Sequence, residues 1–261
     1  MKKKKVTKKE LEEMINNNED VTNIDTSGIT NMSWLFAYNS SFNQDISAWD
    51  VSSVEDMLYM FCDATKFNQD ISSWDVSNVK DMRSMFMGAS SFNQDISNWD
   101  TSNVTDMSYM FMGASSFNQD ISKWNVSNVE DMCWMFQGAT SFNQDISSWD
   151  VSNVKDMCWM FSGASSFNQD ISNWDVSSVE DMSYMFCDAT KFNQDISKWD
   201  VSNVTNMGYM FAGASSFDQL DISNWFNKNE NVNEEIFKGT KLENNEQFKN
   251  LIELNKAINE L

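Results

Sequence analysis

Apolar and polar positions recur along this chain with a period of 25 residues. A tryptophan opens each copy, and we call its place position 1. The apolar positions are then 1, 3, 6, 9, 12, 13, 16, 19 and 23, separated mostly by Asp, Asn, Ser and Thr. The tryptophans that fix the register are Trp49, Trp74, Trp99, Trp124, Trp149, Trp174 and Trp199. A fixed period in this range is typical of a solenoid, in which successive repeats stack and share one core.

Within one repeat the pattern predicts a short helix followed by a short strand. Positions 6, 9, 13 and 16 have helical spacing, and in one copy they are Val104, Met107, Phe111 and Ala114. Ser102 is the candidate N-cap, and Gly113 is the candidate left-handed stop. The segment FNQDIS reads as a strand because Ile121 is flanked by polar residues. Strands stack about 4.8 Å apart and helices about 8–10 Å apart, so the stack should curve.

We therefore predict an α/β fold, a right-handed curved solenoid of 25-residue strand–helix repeats with a helical cap at each end. Residues 1–24 form a tail and the N-terminal capping helix, in which Thr7 and Glu10 make a capping box. Residues 25–225 hold eight repeats. Residues 226–261 hold a degenerate ninth turn and a C-terminal amphipathic helix. The apolar face of that last helix comprises Phe248, Leu251, Ile252, Ile258 and Leu261.

Two polar features have structural predictions of their own. Asn recurs at position 20, and a stacked ladder of these amides would satisfy backbone groups of the turns. Cys133 and Cys158 share one place in consecutive repeats, where helices 8–10 Å apart would keep them from bonding. Cys62 and Cys187 lie five repeats apart, so we predict four free thiols.

Composition narrows the function classes. The chain has no histidine, which excludes Ser-His-Asp and Cys-His catalysis and histidine-bound metals. The net charge of −21 disfavours binding to nucleic acid, whose affinity depends on cationic contacts to phosphate. No segment has the roughly 20 apolar residues of a membrane span. The run MKKKKV precedes polar residues instead of the apolar core of a signal peptide.

The string MFxGAxxFNQDISxWDVSNVxDM resembles the mycoplasma-type repeat of bacterial surface proteins, which is similar in layout to the BspA-like leucine-rich repeats. The resemblance covers about Asp25 to Trp225. It implies a leucine-rich-repeat-like α/β solenoid, adhesion or protein binding, and a location at the bacterial surface or outside the cell. A cytoplasmic location is the alternative, because no signal peptide is visible in the chain.

Comparison of the repeats with one another points to an aromatic row at position 11. Side chains that differ between copies belong to the surface, and at this position the differing residues are almost all Trp or Tyr. Such a row suits an interaction surface. The alternative is that the rings only pack between adjacent repeats. The candidate residues are Trp34, Tyr59, Tyr109, Trp134, Trp159, Tyr184 and Tyr209.

A second candidate surface consists of aspartates, which recur at positions 2, 8 and 22. Like charges about 5 Å apart repel by about 0.8 kcal/mol per pair in water, so something must compensate them. Asx turns with neighbouring serines are one answer, and bound Ca²⁺ is the other. The position-22 candidates are Asp70, Asp95, Asp120, Asp145 and Asp170.

These observations predict a non-enzymatic protein-binding or adhesion scaffold with no obligatory cofactor. No nucleophile–base pair or phosphate-binding loop appears in the sequence. The partner would be a protein or a glycan, and the chain itself a monomer or weak oligomer. Two alternatives stay open: a glycan-binding surface built on the Trp/Tyr row, and an intracellular acidic decoy of a nucleic-acid-binding protein.

Overall fold

The computed structural model describes residues 3–219, 222, 225, 232 and 234–259. Near the N-terminus, strand β1 (Lys4–Lys5) pairs in parallel with strand β2 (Ile24–Asp25), and helix α1 (Lys8–Asn16) connects them. Toward the C-terminus follow a 3-10 helix (Glu234–Phe237) and helix α2 (Glu246–Asn259). Residues 26–219, which include most of the repeats, contain neither a helix nor a regular strand.

Both predicted terminal helices are confirmed. Thr7 accepts the backbone N–H of Glu10 and Glu10 accepts that of Thr7, which is the predicted capping box. Helix α1 buries Leu11 and Ile15 against the first repeat. Helix α2 buries Phe248 and Ile252, with Leu251 partly covered. The side chains of Ile258 and Leu261 lie outside the described part of the chain.

Consecutive repeats lie one upon another in a strict register of 25 residues. Isolated parallel bridges join position 8 of each repeat to position 8 of the next, from Asn31 through the aspartates to Asn206. Beyond the bridge, alternate N–H groups donate to the following repeat. Tyr109 donates to Cys133, Phe111 to Met135 and Gly113 to Gln137, at 2.7–2.9 Å. The remaining N–H groups close tight turns within the repeat, such as Met110 to Met107.

The helix predicted in each repeat is wrong. The eight residues at position 11 have φ between 54° and 65°, and the glycines at position 15 also have positive φ. An α-helix cannot include residues in the left-handed region. Val104, Met107, Phe111 and Ala114 therefore do reach the core, but through a series of turns that has nearly the same spacing. Gly113 (φ 69°) takes the left-handed conformation predicted for it, inside this series of turns.

The strand predicted at FNQDIS is also wrong, while the predicted amide ladder in that segment is confirmed. The backbone N–H of each position-20 residue donates to the side-chain oxygen of the Asn one repeat earlier, for example Asn118 to Asn93 at 2.9 Å. The same contact recurs along the stack. Side-chain amides thus replace a backbone ladder here, and the helix–strand spacing mismatch that predicted curvature is absent from residues 26–219.

The core consists of columns of identical side chains. Phe111 and Phe117 stack within one repeat at 4.0 Å between ring centroids, and Phe111 stacks on Phe136 of the next repeat at 5.7 Å. The tryptophan at position 1 is buried, and its Nε1–H donates to the carbonyl of the preceding repeat's Ile, as Trp99 does to Ile71 at 3.2 Å. Each repeat therefore depends on its neighbours for both packing and hydrogen bonds.

The columns continue past the last full repeat. Trp225 stacks on Trp199 at 6.4 Å, and Phe237 stacks on Phe211 at 5.6 Å. The N–H of Phe211 donates to Ile236, which keeps the same pattern despite the extra residue in this copy. The handedness and curvature of the predicted solenoid stay predictions.

Candidate functional site

The aromatic row at position 11 forms stacked rings along the surface. Trp134 lies 4.5 Å from Trp159, and Trp159 lies 4.0 Å from Tyr184. Tyr109 and Tyr209 extend this run at 5.9 and 5.2 Å. A second, shorter run comprises Trp34 and Tyr59 at 4.1 Å, and Ser84 stands between the two runs. The rings of the row therefore pack on each other and remain at least partly exposed.

Stacking decides which part of each ring is available. Trp134 and Trp159 have neighbours on both faces, so mainly ring edges reach solvent. Rings at the ends of a run are more open: Trp34 is 48% exposed and Tyr109 36%. The edge carries the indole N–H or phenol O–H of these residues, which can donate hydrogen bonds to a partner.

The residues next to this row differ most between repeats. Position 10 directly precedes the ring, and the N–H of position 14 donates to the ring residue's carbonyl, as Met112 does to Tyr109 at 3.1 Å. We call positions 10, 11 and 14 the aromatic strip. Position 10 is occupied by Ser33, Leu58, Arg83, Ser108, Cys133, Cys158, Ser183 and Gly208. Position 14 is occupied by Ala37, Cys62, Met87, Met112, Gln137, Ser162, Cys187 and Ala212.

The exposed aspartates at position 22 make Asx turns. In each case a carboxylate oxygen accepts the backbone N–H of the serine two residues later, at 2.9 Å. Hydrogen bonds from that serine hold the pKa of each carboxyl below its ordinary value. The residues are Asp70, Asp95, Asp120, Asp145 and Asp170. Their recurrence thus has a structural role, and no three carboxylates of these rows meet at metal-binding distance among the described residues. Calcium binding stays a prediction.

The aspartates at position 8 form a half-buried column that sequence reasoning did not single out. Asn31 donates to Asp56 at 2.6 Å at one end, and Asn206 donates to Asp181 at 2.9 Å at the other. Arg83 bonds Asp81 at 2.6 Å and also lies 3.7 Å from Asp106. These contacts compensate four of the six carboxylates in the column.

Asp131 and Asp156 are the two members of this column that pair with no lysine or arginine among the described residues. Each accepts only a backbone N–H two residues on, from Cys133 and Cys158 respectively, at 2.8 Å. Burial raises the pKa of both carboxyls, and the neighbouring aspartates add to the effect. The uncompensated charge therefore falls next to the two cysteines.

The prediction of four free thiols is wrong. Cys133 and Cys158 are joined by a disulfide, with their Cα atoms 4.7 Å apart. The prediction assumed helix spacing between repeats, whereas the backbone here has the spacing of adjacent parallel strands. Cys62 and Cys187 are free, as predicted.

The profile of one protein family, described as Mycoplasma protein of unknown function, DUF285, matches residues 6–114, 93–186 and 145–250. The chain belongs to this family. The three overlapping matches agree with the internal repeats, and they confirm the resemblance to a mycoplasma-type repeat. No curated protein and no solved structure matches the chain. Over the described residues, no helix has the length and apolar character needed to cross a membrane.

Proposed function

We propose that this member of the family is a non-enzymatic protein-binding or adhesion scaffold, a solenoid whose aromatic strip is the binding surface. The observation that supports this best is the strip itself. Partly exposed Trp and Tyr side chains run continuously from Tyr109 to Tyr209, and the flanking positions change from repeat to repeat. Aromatic side chains are enriched in protein interfaces and often dominate their energetics.

The invariant positions support the same choice by being occupied elsewhere. The tryptophan at position 1, the Asn at position 20 and the aspartates all make hydrogen bonds that hold the repeats together or close their turns. Side chains with such roles leave little freedom to adapt to a partner. The side chains of the aromatic strip vary without disturbing the stack, which is what a recognition surface needs.

A variant test follows from Ser84, which shows that position 11 accepts serine with φ 54°. We expect Trp134→Ser combined with Tyr184→Ser to fold but to lose binding by about 30-fold, the effect of about 2 kcal/mol at an interface hot spot. A phage-displayed library of protein fragments, selected on the immobilised full chain, supplies the ligands to measure. Circular dichroism checks that the variant is folded.

The matched control changes the other surface. Asp120→Asn with Asp145→Asn removes charge but keeps the Asx turn, as Asn125 does naturally at position 2 by accepting the N–H of Ser127 at 3.1 Å. Selected fragments should bind this control as they bind the unaltered chain. If the Asn control loses binding and the Ser variant keeps it, the binding surface is the acidic face and the proposal is wrong.

The same variants separate the glycan alternative. Sugars stack on ring faces, and the faces of Trp134 and Trp159 are covered by their neighbours. Trp34, at the end of its run, offers the most exposed ring of the row. Binding to a glycan array that Trp34→Ser abolishes, together with no selected protein fragment, would favour a glycan-binding protein over the scaffold proposed here.

A further inference from the structure

Two sulfurs and one carboxylate converge beside the aromatic strip. The sulfurs of Cys133 and Cys158 and a carboxylate oxygen of Asp156 all lie within 4.8 Å of one another. The N–H of Cys158 donates to Asp156 at 2.8 Å, which holds the carboxylate toward the sulfurs. No other group of three such ligands occurs among the described residues.

The charge around this group lacks a partner. Elsewhere in the position-8 column Asn31, Arg83 and Asn206 compensate the carboxylates. Asp131 and Asp156 remain as adjacent, half-buried acids with no cationic side chain on them within the described residues. Reduction of the disulfide would add two thiols at the same place. A bound cation would supply the missing positive charge.

We propose that, in the reduced protein, Cys133, Cys158 and Asp156 bind a thiophilic divalent cation of the Zn²⁺ type, and that the disulfide is the metal-free form of the same site. Two thiolates and one carboxylate are a usual zinc donor set, with a fourth place left for water. Tetrahedral zinc with bonds of about 2.3 Å holds two sulfurs about 3.8 Å apart. Cysteines on adjacent strands can reach that separation without movement of the backbone.

The redox step that opens the site is a thiol–disulfide exchange. A dithiol reductant breaks the bond between the two sulfurs, is itself oxidised to a disulfide, and leaves Cys133 and Cys158 as thiols after transfer of two electrons and two protons. Zn²⁺ then displaces the two thiol protons, because the thiolate is the ligand. The oxidised protein lacks both thiolates and should not bind the metal.

The test uses the full chain, reduced without oxygen and freed of metal, and titrated with Zn²⁺ against a chromophoric chelator. We expect one equivalent to bind tightly to the reduced protein and none to the oxidised protein. Co²⁺ in place of Zn²⁺ should give thiolate charge-transfer absorption. Cys133→Ser or Cys158→Ser should lower the affinity at least 100-fold, and Asp156→Asn by about 10- to 100-fold.

The chain supplies its own controls. Ser33, Ser108 and Ser183 occupy position 10 naturally, so serine variants of the two cysteines should fold. Cys62→Ser with Cys187→Ser removes the other two thiols and should leave the affinity unchanged. The proposal is overturned if the reduced protein binds no Zn²⁺ at micromolar concentration, or if the equivalent is lost with Cys62 and Cys187 instead. Either result leaves the protein-binding proposal untouched.

Discussion

Aspartates in the same local turn have opposite environments in this chain. Asp120 is exposed, and hydrogen bonds from Ser122 lower the pKa of its carboxyl. Asp131 makes the equivalent bond to Cys133, but burial raises the pKa of its carboxyl. The ionised form is therefore favoured by folding at Asp120 and disfavoured at Asp131.

This difference predicts opposite pH dependences for two matched variants. Asp131→Asn should stabilise the protein at pH 7 by about 1 kcal/mol, because it removes a buried charge and adds an amide donor toward Asp156. Asn31 already makes such a bond to Asp56, at 2.6 Å. Asp120→Asn should destabilise the protein at pH 7. Urea unfolding from pH 7 to pH 3 measures both.

The signs on acidification follow from the pKa shifts. Unfolded aspartate titrates near pH 3.9. The stabilisation from Asp120 is complete above that value and is lost as the pH falls through the lowered folded pKa. The penalty at Asp131 is complete above its raised folded pKa and disappears as the pH falls through it. Both variants should therefore approach the parent protein in acid, from opposite sides, and parallel curves would refute the assignment.

At the scale of elements, the sequence predicted what depends on local chemistry. The capping box of Thr7 and Glu10, the burial of Leu11 and Ile15, and the register of the repeats all follow from residue type and spacing. The helix in each repeat failed because a spacing of three and four residues also fits consecutive tight turns. Glycine at position 15, replaced by Asp63 and Asp188 in two copies, was the available sign of left-handed backbone.

The candidate site was predictable to a similar extent. The Trp/Tyr row and its partial exposure could be read from the sequence, and Asx turns were one of the two readings of the aspartates. The Cys133–Cys158 bond was missed because its feasibility depends on the distance between repeats, which the wrong helix set too large. The role of Arg83 depends on which carboxylates face it, and no local pattern encodes that.

The link between neighbouring repeats can be tested at the buried tryptophan. Trp99→Phe keeps an aromatic ring in the column but removes the donor to Ile71, leaving a buried carbonyl unpaired. We expect a loss of about 1–3 kcal/mol in the free energy of unfolding. Chemical denaturation followed by circular dichroism measures this loss.

Trp225 provides the matched control. It stacks in the same column, but its buried Nε1 has no hydrogen-bond partner among the described residues. Trp225→Phe should therefore cost less than Trp99→Phe, since no bond is broken. Equal losses at the two positions would show that ring volume, and not the hydrogen bond, is what the repeat needs there.

At the scale of the whole molecule, the stack should tolerate loss of a repeat but not of its register. Deletion of residues 74–98 or of residues 99–123 joins equivalent positions, so every column closes up. A deletion of 12 residues would place polar positions in the core. We expect both 25-residue deletions to fold cooperatively and the shorter deletion to abolish folding, as judged by circular dichroism and thermal unfolding.

The two 25-residue deletions differ in one electrostatic respect. Each removes one position-8 aspartate, but only deletion of residues 74–98 removes Arg83, which compensates Asp81 and Asp106. That protein should gain more stability from added salt than the other, by about 1 kcal/mol between low salt and 1 M, because salt screens the uncompensated column. Urea unfolding at the two salt concentrations measures the difference.

The salt response, and not the stability at one salt concentration, isolates this charge effect. Deletion of residues 74–98 also removes Ser84 and brings Tyr59 next to Tyr109, and a new ring stack can add about 0.5–1.5 kcal/mol. That gain is nearly independent of salt. Arg83→Ser in the full chain introduces the residue that Ser108 already supplies at position 10, so it removes the cation alone and should reproduce the salt response. If it does not, the acidic column is held by its hydrogen bonds, and the charge left at Asp131 and Asp156 matters less to the molecule than proposed.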